Sequence, residues 1–524
     1  MSPCCFGVER IESIRLSGDA EVAEALPSWP SCIKRVVGEA VSAEVLEGFR
    51  ADLLSALRDA GYLFATVDFP EEYAGDGVVV AQVHCGSQGE IRIRKAGRHY
   101  TPRQVISRLT GRGHAFNYAE FCQRLAKANS GDLKIDVTLK PVYRGGRLEV
   151  DAEVDYVDRL PIHASMEVAN TAAPEAASPL QLRLGLQALN LARCDDTLSL
   201  FYLTDGDLAQ EVNAFYGAYQ LPLGETWTAT AFASWSDSTY SEVVRDLELQ
   251  GRGTSYGLQF EHEMYTDGRV RATVAFGWRM ARTRNRLQLY GDSLKLCTTR
   301  VSMPYLTLGY SENAPDRFHG QNFAALTLTG NFAGRLGSSD QRAFHAEGRG
   351  ADGSFAQLHL SSARLQRFFA GEEHPGCWSL FARLQGLYST DAAPNAAREY
   401  LGGRETVRGY REAEASGDTY FAGTLELRTP LTETRQPHES RWFLPQLLGA
   451  LFTDFGLLKS HGDHNAPQNG RHNRTTLLAA GAGLRLAFGK YCHATVDYAL
   501  PLCRHATPDT PRHGRWHLAV QFQF

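Results

Sequence analysis

The sequence has no uninterrupted apolar run of about 18 or more residues, and this absence excludes a helical membrane protein. Cysteine is sparse, at 10 of 524 residues, and no two cysteines form a Cys-x-x-Cys pair. These are too few for a disulfide scaffold, so scattered free thiols are expected. A single bridge between Cys492 and Cys503 stays open as an alternative.

An excess of one charge is also lacking, since 54 Lys and Arg face 59 Asp and Glu without basic blocks. This balance argues against a dedicated nucleic-acid binder. The chain contains no P-loop, no Gly-x-Ser-x-Gly and no His-Glu-x-x-His motif, so we predict neither an enzyme nor a bound cofactor. His461, His464 and His472 cluster around Asp463, but a solvated loop is a simpler interpretation than a metal site.

The first 158 residues mix the patterns of helices and strands. Apolar residues at helical spacing predict an amphipathic helix over about 42–60. Capping signals predict two further helices, one beginning near Thr101 and one near Asn117. We interpret this half as two small α+β modules, at residues 6–87 and 88–158.

From residue 159 onward, alternation with a period of two replaces the helical pattern. One face of each segment is apolar and the other carries Arg, Gln and Gly, as in a strand with one dry and one wet face. Sixteen strands are predicted, at 161–170, 179–190, 196–204, 211–222, 226–236, 253–265, 269–281, 300–312, 319–331, 353–367, 377–389, 418–430, 444–457, 475–488, 490–499 and 514–524.

The lengths of the connections decide between a soluble sandwich and a membrane barrel. Connections after even-numbered strands are short turns, as at 223–225 and Gly489, whereas 237–252 and 282–299 are among the long ones. An even strand number with short turns on one rim and long loops on the other is typical of an outer-membrane barrel. The expected fold is therefore two α+β modules followed by a 16-stranded antiparallel β-barrel over 159–524.

The last predicted strand alternates apolar and polar residues up to the final position. Trp516, Phe522 and Phe524 lie on its apolar face. This arrangement is typical of the terminal strand of an outer-membrane barrel, which closes against the first strand. We therefore predict these three side chains on the lipid-facing surface.

The strongest local motif lies in the longest connection, residues 390–417. It contains Gly402-Gly403 and, four residues later, Val407-Arg408-Gly409-Tyr410. This run resembles the Val-Arg-Gly-Tyr/Phe motif of outer-membrane transporters that carry POTRA modules. The Ser-Gly-Asp at 416–418 and the Leu-Arg-Thr-Pro-Leu run at 427–431 are similar to the two-partner secretion branch, of the haemolysin-activator and filamentous-haemagglutinin-transporter type.

A second motif on the next strand resembles the family's Phe-x-Asp-x-Gly; it is Phe452-Thr453-Asp454-Phe455-Gly456. Spacing of two places its first, third and fifth residues on one face, and the Asp would be costly on the lipid side. The resemblance implies that loop 390–417 folds back into the lumen, where Arg408 binds Asp454 as a fork. Small Gly409 and Gly456 would allow a close approach, and Tyr410 would pack on the wall. The alternative is two unrelated charges.

The amino-terminal half resembles the family more loosely. Cys5-Phe6 and Val8 look like the start of a first POTRA module, and Gly61-Tyr62 looks like its helix exit. Such modules offer sheet edges that accept an extended client strand. The candidate edge in the second module is Glu90-Ile91-Arg92-Ile93-Arg94.

One departure from the family concerns the start of the chain. The family usually carries a plug helix and a Pro-rich linker before its first module, whereas this sequence begins almost at the module. Residues 1–15 also lack the apolar segment of a secretory signal. We therefore expect the numbering to begin after a signal or at a truncated start.

The resemblance implies a function as well as a fold. The expected protein is a pore in the outer membrane of a Gram-negative bacterium, with POTRA modules in the periplasm, that exports a large exoprotein without ATP. Its expected partners are that client, outer-membrane lipid, and the periplasmic chaperones and barrel-assembly machinery that insert it. No nucleic acid, metal or cofactor is expected. A factor that inserts other barrels and, less favoured, a passive porin stay open as alternatives.

Overall fold

The computed structural model divides the chain into two compact units, Met1–Pro161 and Ile162–Phe524. The residues it describes are 10–69, 77–111, 113, 115–129, 131–145, 147–172, 178–206, 212–244, 247–267, 269–289, 292–347, 350–368, 378–432, 446–461, 474–489, 491–503 and 513–524. Some residues named above lie outside these ranges: Cys5, Phe6, Val8, Asp463, His464 and His472. No helix in the described part of the chain is long and apolar enough to cross a membrane.

The first unit contains two small three-stranded sheets, each accompanied by helices. In chain order its elements are β1 (Ser13–Gly18), α1 (Ala20–Glu24), α2 (Trp29–Val36), α3 (Ala43–Asp59), β2 (Thr66–Asp68), β3 (Val78–His84), β4 (Ser87–Lys95), α4 (Pro102–Leu109), α5 (Tyr118–Ala128), β5 (Leu133–Arg144) and β6 (Arg147–Asp158). The strand orders are β1-β3-β2 and β4-β6-β5. In both sheets the first strand runs parallel to the central strand and the other runs antiparallel, so one topology occurs twice.

Helix α3 shows how the sequence builds the first of these sheets. Phe49, Leu53 and Leu57 recur at intervals of four residues, which places them on one face of the helix. All three are buried in the core beneath the sheet. The Ser42 hydroxyl accepts a hydrogen bond from the backbone N–H of Val45 and begins the helix where the sequence predicts it.

The helices expected near Thr101 and Asn117 are α4 and α5. Thr101 forms a capping box with Gln104, and the Asn117 side chain accepts a bond from the backbone N–H of Glu120. The sequence pattern did not indicate α1 and α2, which have five and eight residues. Segments of that length span too few turns to show helical periodicity.

One carboxylate binds the chain that leads into α4, and this contact makes the stability of the first unit depend on pH. Asp158 accepts hydrogen bonds from the backbone N–H groups of Arg98, His99 and Tyr100 at 2.7, 2.7 and 2.8 Å. Burial raises the pKa of Asp158, but the three bonds to its ionised form outweigh burial and leave that pKa below its usual value. We expect Asp158→Asn to destabilise the isolated first unit by about 2 kcal/mol at neutral pH.

The sign of the pH effect follows from the depressed pKa. Stabilisation by Asp158 is complete above the pKa of the unfolded chain and is lost as pH falls through the folded-state pKa. Urea unfolding of both proteins from neutral to strongly acidic pH should show their stabilities converging in acid. Asp136→Asn, on an exposed part of β5, is the matched control. Equal stability of wild type and Asp158→Asn at neutral pH would contradict the argument.

The second unit is a barrel that closes on itself. In chain order its elements are β7 (Ile162–Ala169), β8 (Gln181–Leu189), β9 (Thr197–Asp205), β10 (Val212–Leu223), β11 (Trp227–Val244), β12 (Leu247–Thr266), β13 (Val270–Leu289), β14 (Asp292–Glu312), β15 (Gly320–Asn331), α6 (Gln341–His345), β16 (Phe355–Arg367), β17 (Ser379–Ser389), a 3-10 turn (Asn395–Ala397), β18 (Glu399–Leu401), β19 (Ala415–Gly417), β20 (Thr419–Pro430), β21 (Gln446–Lys459), β22 (Arg474–Phe488), β23 (Cys492–Pro501) and β24 (Arg515–Gln523). All of these strands except β18 and β19 form one antiparallel sheet, in which β24 pairs with β7. The predicted 16-stranded barrel, closed by its terminal strand, is confirmed.

Two of the expected long loops are wrong. In place of a loop at 237–252, β11 continues to Val244 and pairs with β12 from Leu247 onward. In place of a loop at 282–299, β13 and β14 pair along almost their whole length. Alternation marks a strand only where it continues over several residues, and in these hairpin ends it is limited to short runs such as Leu247-Glu248-Leu249 and Leu287-Gln288-Leu289.

The alternative of a bridge between Cys492 and Cys503 is also wrong. Cys492 begins β23 and Cys503 lies beyond its other end. The strand has ten residues, which places the two thiols roughly 30 Å apart. Both are free, as are the other described cysteines: Cys32, Cys85, Cys122, Cys194 and Cys297.

Alternation along the barrel strands separates an apolar outer surface from the interior, which we call the lumen. On β21, Leu451 and Leu457 are 62% and 49% exposed on the outer surface. Phe452 and Asp454, on the other face of the same strand, are buried. The predicted Phe-x-Asp-x-Gly face therefore points into the lumen.

Candidate functional site

The connection between β17 and β20 folds back into the lumen; we call residues 390–417 the motif loop. Gly402 and Gly403 have φ angles of 110° and 94°, a region where a side chain is strained. A Cβ on Gly403 would also collide with the carboxylate of Glu412. The turn that follows is closed by a bond from the Gly403 N–H to a backbone carbonyl, and it leads to Arg408, which is 6% exposed.

Arg408 binds Asp454 of β21 through three hydrogen bonds. Its Nε donates to Oδ2 at 2.7 Å, its Nη2 to Oδ1 at 3.0 Å, and its backbone N–H to Oδ2 at 3.1 Å. The two guanidinium bonds form a bidentate fork. Asp454 is fully buried, so the arginine supplies the positive charge that an ionised carboxylate needs when water is excluded.

Further charges surround this pair. Nη1 of Arg408 also donates to Glu426 of β20 at 2.8 Å and to Asp497 of β23 at 3.1 Å. Arg485 of β22 donates to the same two carboxylates at 2.9 and 2.5 Å. Arg428 donates to Glu426 at 2.8 Å. Three cations thus face three anions, and we call this set the charge cluster: Arg408, Arg428, Arg485, Glu426, Asp454 and Asp497.

An aromatic ring and a histidine hold the motif loop close to the barrel wall. The guanidinium carbon of Arg408 lies 3.3 Å from the ring centroid of Phe452, a cation–π contact. Gly409 has a φ of 90°, and its N–H donates to Nε2 of His517 on β24 at 2.9 Å. Because Nε2 accepts this bond, it carries no proton.

Val407 and Tyr410 anchor the same loop through apolar contacts. Both are fully buried and pack with leucines of the loop, of β21 and of β22. A Cβ on Gly456 would lie 2.9 Å from a methyl carbon of Val407, so only glycine allows this approach. The Tyr410 hydroxyl donates to the carbonyl of Leu478 at 3.0 Å.

The motif loop contacts both strands of the seam where the barrel closes. Arg404 donates to Glu167 of β7 at 2.7 Å, while Gly409 is bound to His517 of β24. The seam itself comprises five residue pairs. A polar cavity of about 470 Å³ lies between this part of the loop and β7–β9, and Arg183 is among its lining residues. The motif loop therefore leaves space in the lumen beside β7–β9.

Sequence reasoning identified Arg408 and Asp454 and missed the rest of the charge cluster. A signal was present, because Glu426 and Arg485 are each a single charge between two leucines. On a barrel strand such a charge must face the lumen, since the leucines face lipid. Which lumen charges meet Arg408 depends on strand order and register, and that information is not local in the sequence.

The candidate client edge, Glu90–Arg94, lies in β4, which is an edge strand of its sheet. Its two isoleucines pack toward the core of the module. Its glutamate and two arginines are exposed. The backbone N–H of Glu90 donates at 2.9 Å to Asp151 of β6, the strand with which β4 is paired.

The aromatic residues of the terminal strand lie near the closing seam. Trp516 and Phe524 are exposed at 56% and 70%, and Phe522 stacks on Phe524 with ring centroids 6.5 Å apart. The backbone N–H of Phe524 donates to the carbonyl of Ala164 on β7 at 2.8 Å. The last residue thus extends the contact between the last and first strands.

No group of three or more His, Cys, Asp or Glu side chains is placed to hold a metal ion within the described ranges. Of the histidines in the predicted solvated loop, His461 is described, and its backbone N–H donates to Asp418 at 2.7 Å. His464, His472 and Asp463 lie outside the described residues. The charge cluster holds equal numbers of cations and anions, so it has no net charge to attract an ion.

Comparison with known proteins adds a family to this geometry. Residues 150–486 match the family model described as haemolysin secretion/activation protein ShlB/FhaC/HecB. Among solved structures, CdiB from Escherichia coli is similar at a TM-score of 0.77 and 18% identity, covering 100% of this chain and 93% of that one. CdiB from Acinetobacter baumannii is similar at 0.71 and 14%, covering 100% and 91%.

A more distant likeness involves BamA from Haemophilus ducreyi lacking POTRA domains 1-3. Its TM-score is 0.53 at 13% identity, covering 99% of this chain and 100% of that one. At such identities these structures show a shared fold alone. No curated protein matches the sequence.

Proposed function

The chain belongs to the haemolysin secretion/activation family ShlB/FhaC/HecB, and from this membership we propose that it recognises a large exoprotein and carries it across the outer membrane. It is a two-partner secretion transporter, with its barrel in the outer membrane and POTRA modules in the periplasm. We assign residues 6–87 and 88–158 to the two modules and 159–524 to the barrel. The observation that carries the proposal is the motif loop, docked in the lumen by the charge cluster.

The docked loop favours a protein transporter over a passive porin. It contacts the lumen wall from β20 to β24 and, through Ala393 and Ala397, at β14, and it leaves a polar cavity beside β7–β9. Ion pairs and hydrogen bonds hold much of the loop, and water or a client side chain can replace such partners one by one. We therefore infer that the loop either supports the pore wall or moves aside during export.

Transport by this chain would need neither ATP nor catalysis. The client would cross unfolded and then fold outside the cell. Burial of its apolar surface on folding makes return through the pore unfavourable and gives export its direction. A folding-defective client exported at an undiminished rate would refute this source of direction.

Secretion by cells tests the whole proposal. Deleting the transporter should remove its large exoprotein client from the culture medium, and restoring the transporter should return it. Loss of several unrelated barrels from the outer membrane would instead indicate an assembly factor. Unchanged secretion with altered uptake of small solutes would indicate a porin.

Other partners follow from the surfaces of the chain. The apolar outer surface would contact outer-membrane lipid. Before the barrel closes, β7 and β24 expose unpaired edges that invite aggregation. We therefore propose that periplasmic chaperones and the barrel-assembly machinery handle the chain during insertion.

The second module would receive the client as an added strand on β4. An edge strand presents backbone groups that can pair with an extended segment, and the flanking side chains select which segment binds. Arg92 and Arg94 are exposed along this edge, so a client segment with acidic residues would be favoured.

Reversing both edge charges, Arg92→Glu with Arg94→Glu, should weaken client binding about tenfold without unfolding the module. The changes are on exposed side chains, whose ion pairs contribute little to stability. Binding of the client's amino-terminal region to the isolated first unit gives the measurement. Lys34→Glu with Arg58→Glu, on exposed helical positions, is a control with the same change in net charge. An equal loss in both double variants would refute a specific edge.

A further inference from the structure

Four aromatic side chains line the lumen, and three of them come from β9–β11, away from the strands with which the motif loop packs. We call them the aromatic arc: Phe201 of β9, Tyr216 of β10, Phe232 of β11 and Tyr305 of β14. The residue pairing between neighbouring barrel strands shows that these side chains face the lumen. Glu167, Arg183 and Leu203 form one row across β7–β9 that lines the lumen cavity, and Phe201 lies two residues from Leu203.

The remaining members follow in the same way. Tyr216 is paired directly with Phe201, and their ring centroids are 6.2 Å apart. Phe201 and Tyr216 are 40% and 41% exposed. Tyr216 is also paired with Ser234, two residues from Phe232. From Phe232 the pairing continues across β12 and β13 to Met303, two residues from Tyr305. The arc therefore presents large aromatic surface to an aqueous lumen, and such surface in a polar setting marks an interaction site.

Three of the rings lie against glycines of the neighbouring strands. A Cβ on Gly185 would lie 3.0 Å from a ring carbon of Phe201. A Cβ on Gly257 would lie 2.5 Å from Phe232, and one on Gly277 would lie 2.5 Å from Tyr305. Each ring thus fills the space that a side chain would occupy. The aromatic groups therefore lie along the wall and do not extend across the lumen.

The arc lies across the lumen from the charge cluster, and only Tyr305 is near the motif loop, whose Ala393 and Ala397 pack with Met303. Its residues come from the third to the eighth strand of the closed barrel, whereas the charge cluster and His517 come from the twelfth to the sixteenth. All four aromatic residues lie at a similar level, a few residues above the rim of short turns. A chain that crosses the open part of the lumen must pass between the arc and the loop at this level.

We propose that the aromatic arc binds the extended client polypeptide inside the pore, through contacts between its rings and apolar side chains of the client. This inference rests on the proposed export function and adds a contact site to it. Aromatic rings gain free energy from any apolar side chain that covers them, so the contact tolerates changes of sequence as the chain advances. Polar groups beside the rings, such as Gln259, which accepts a bond from Tyr305 at 3.0 Å, can bind the client backbone.

A photoreactive phenylalanine derivative placed at neighbouring positions of β10 provides the test. Tyr216 faces the lumen, whereas Phe215, the residue before it, is 52% exposed on the outer surface. The probe is the exoprotein whose secretion depends on the transporter, fused to a disulfide-closed domain that halts it during export. We expect the derivative at position 216 to crosslink the halted client and the derivative at 215 to crosslink none.

The outcomes separate this inference from the function it rests on. If the unfused exoprotein is secreted but position 216 yields no crosslink, or if 215 and 216 crosslink equally, the arc is not the contact site. If the exoprotein is not secreted at all, the proposed function fails as well. Phe201→Ala with Tyr216→Ala should lower the export rate about fivefold, and Phe215→Ala should not. An unchanged export rate in the Phe201→Ala, Tyr216→Ala variant would also refute the proposal. The proposal would likewise be refuted if a linear oligosaccharide blocked the pore and an unfolded peptide did not.

Discussion

Replacing Arg408 with alanine is expected to lower client export at least tenfold while the barrel still forms. The change leaves Glu426, Asp454 and Asp497 buried with two arginines instead of three. Removing one partner of a buried ion pair costs about 3–5 kcal/mol, because the remaining charge stays without water. That cost shifts the docking equilibrium of the motif loop more than about a hundredfold. Backbone hydrogen bonds make the barrel itself, so strand pairing should survive.

Two measurements and two further variants make this result specific. Client in the medium reports export, and heat-sensitive mobility on a denaturing gel reports barrel formation. Arg411→Ala, at a half-buried arginine of the same loop, should export normally. Arg408→Lys should fall between wild type and Arg408→Ala, since an ammonium group cannot form the fork to Asp454. Normal export by Arg408→Ala would remove the proposed role of the charge cluster.

The barrel was predictable because lipid imposes a simple rule on each strand. Residues such as Leu451 and Leu457 must be apolar at every second position, and that constraint is visible within one segment. This rule does not apply to the part of a strand that extends beyond the membrane. The hairpin ends of β11–β14 were therefore expected to be loops, although the backbone continues its pairing there.

The site was predictable only where its residues lie within a short sequence motif. Arg408 and Asp454 each lie in a recognisable run, and the resemblance paired them. Glu426, Asp497 and His517 contribute one side chain each from separate strands, and their meeting depends on barrel closure. The inward fold of the motif loop likewise depends on tertiary contacts, since its glycines show where the backbone turns but not which wall it reaches.

Exchanging the charges of the central pair should fail to restore export. The double variant Arg408→Asp with Asp454→Arg keeps both the total charge of the cluster and one opposite pair. However, Arg408 also binds Glu426 and Asp497, at 2.8 and 3.1 Å. A carboxylate at position 408 would face these two acids, and like charges at such distances repel strongly in a buried site.

The ring of Phe452 adds to the expected failure of that exchange. It lies 3.3 Å below the guanidinium carbon of Arg408, and the negative face of an aromatic ring attracts a cation but repels an anion. The double variant should therefore export at the level of Arg408→Ala, at least tenfold below wild type, in the same secretion assay. Recovery to near the wild-type level would show that the Arg408–Asp454 pair acts alone. In that case Glu426, Asp497 and Phe452 would be only neighbours of the site and not parts of it.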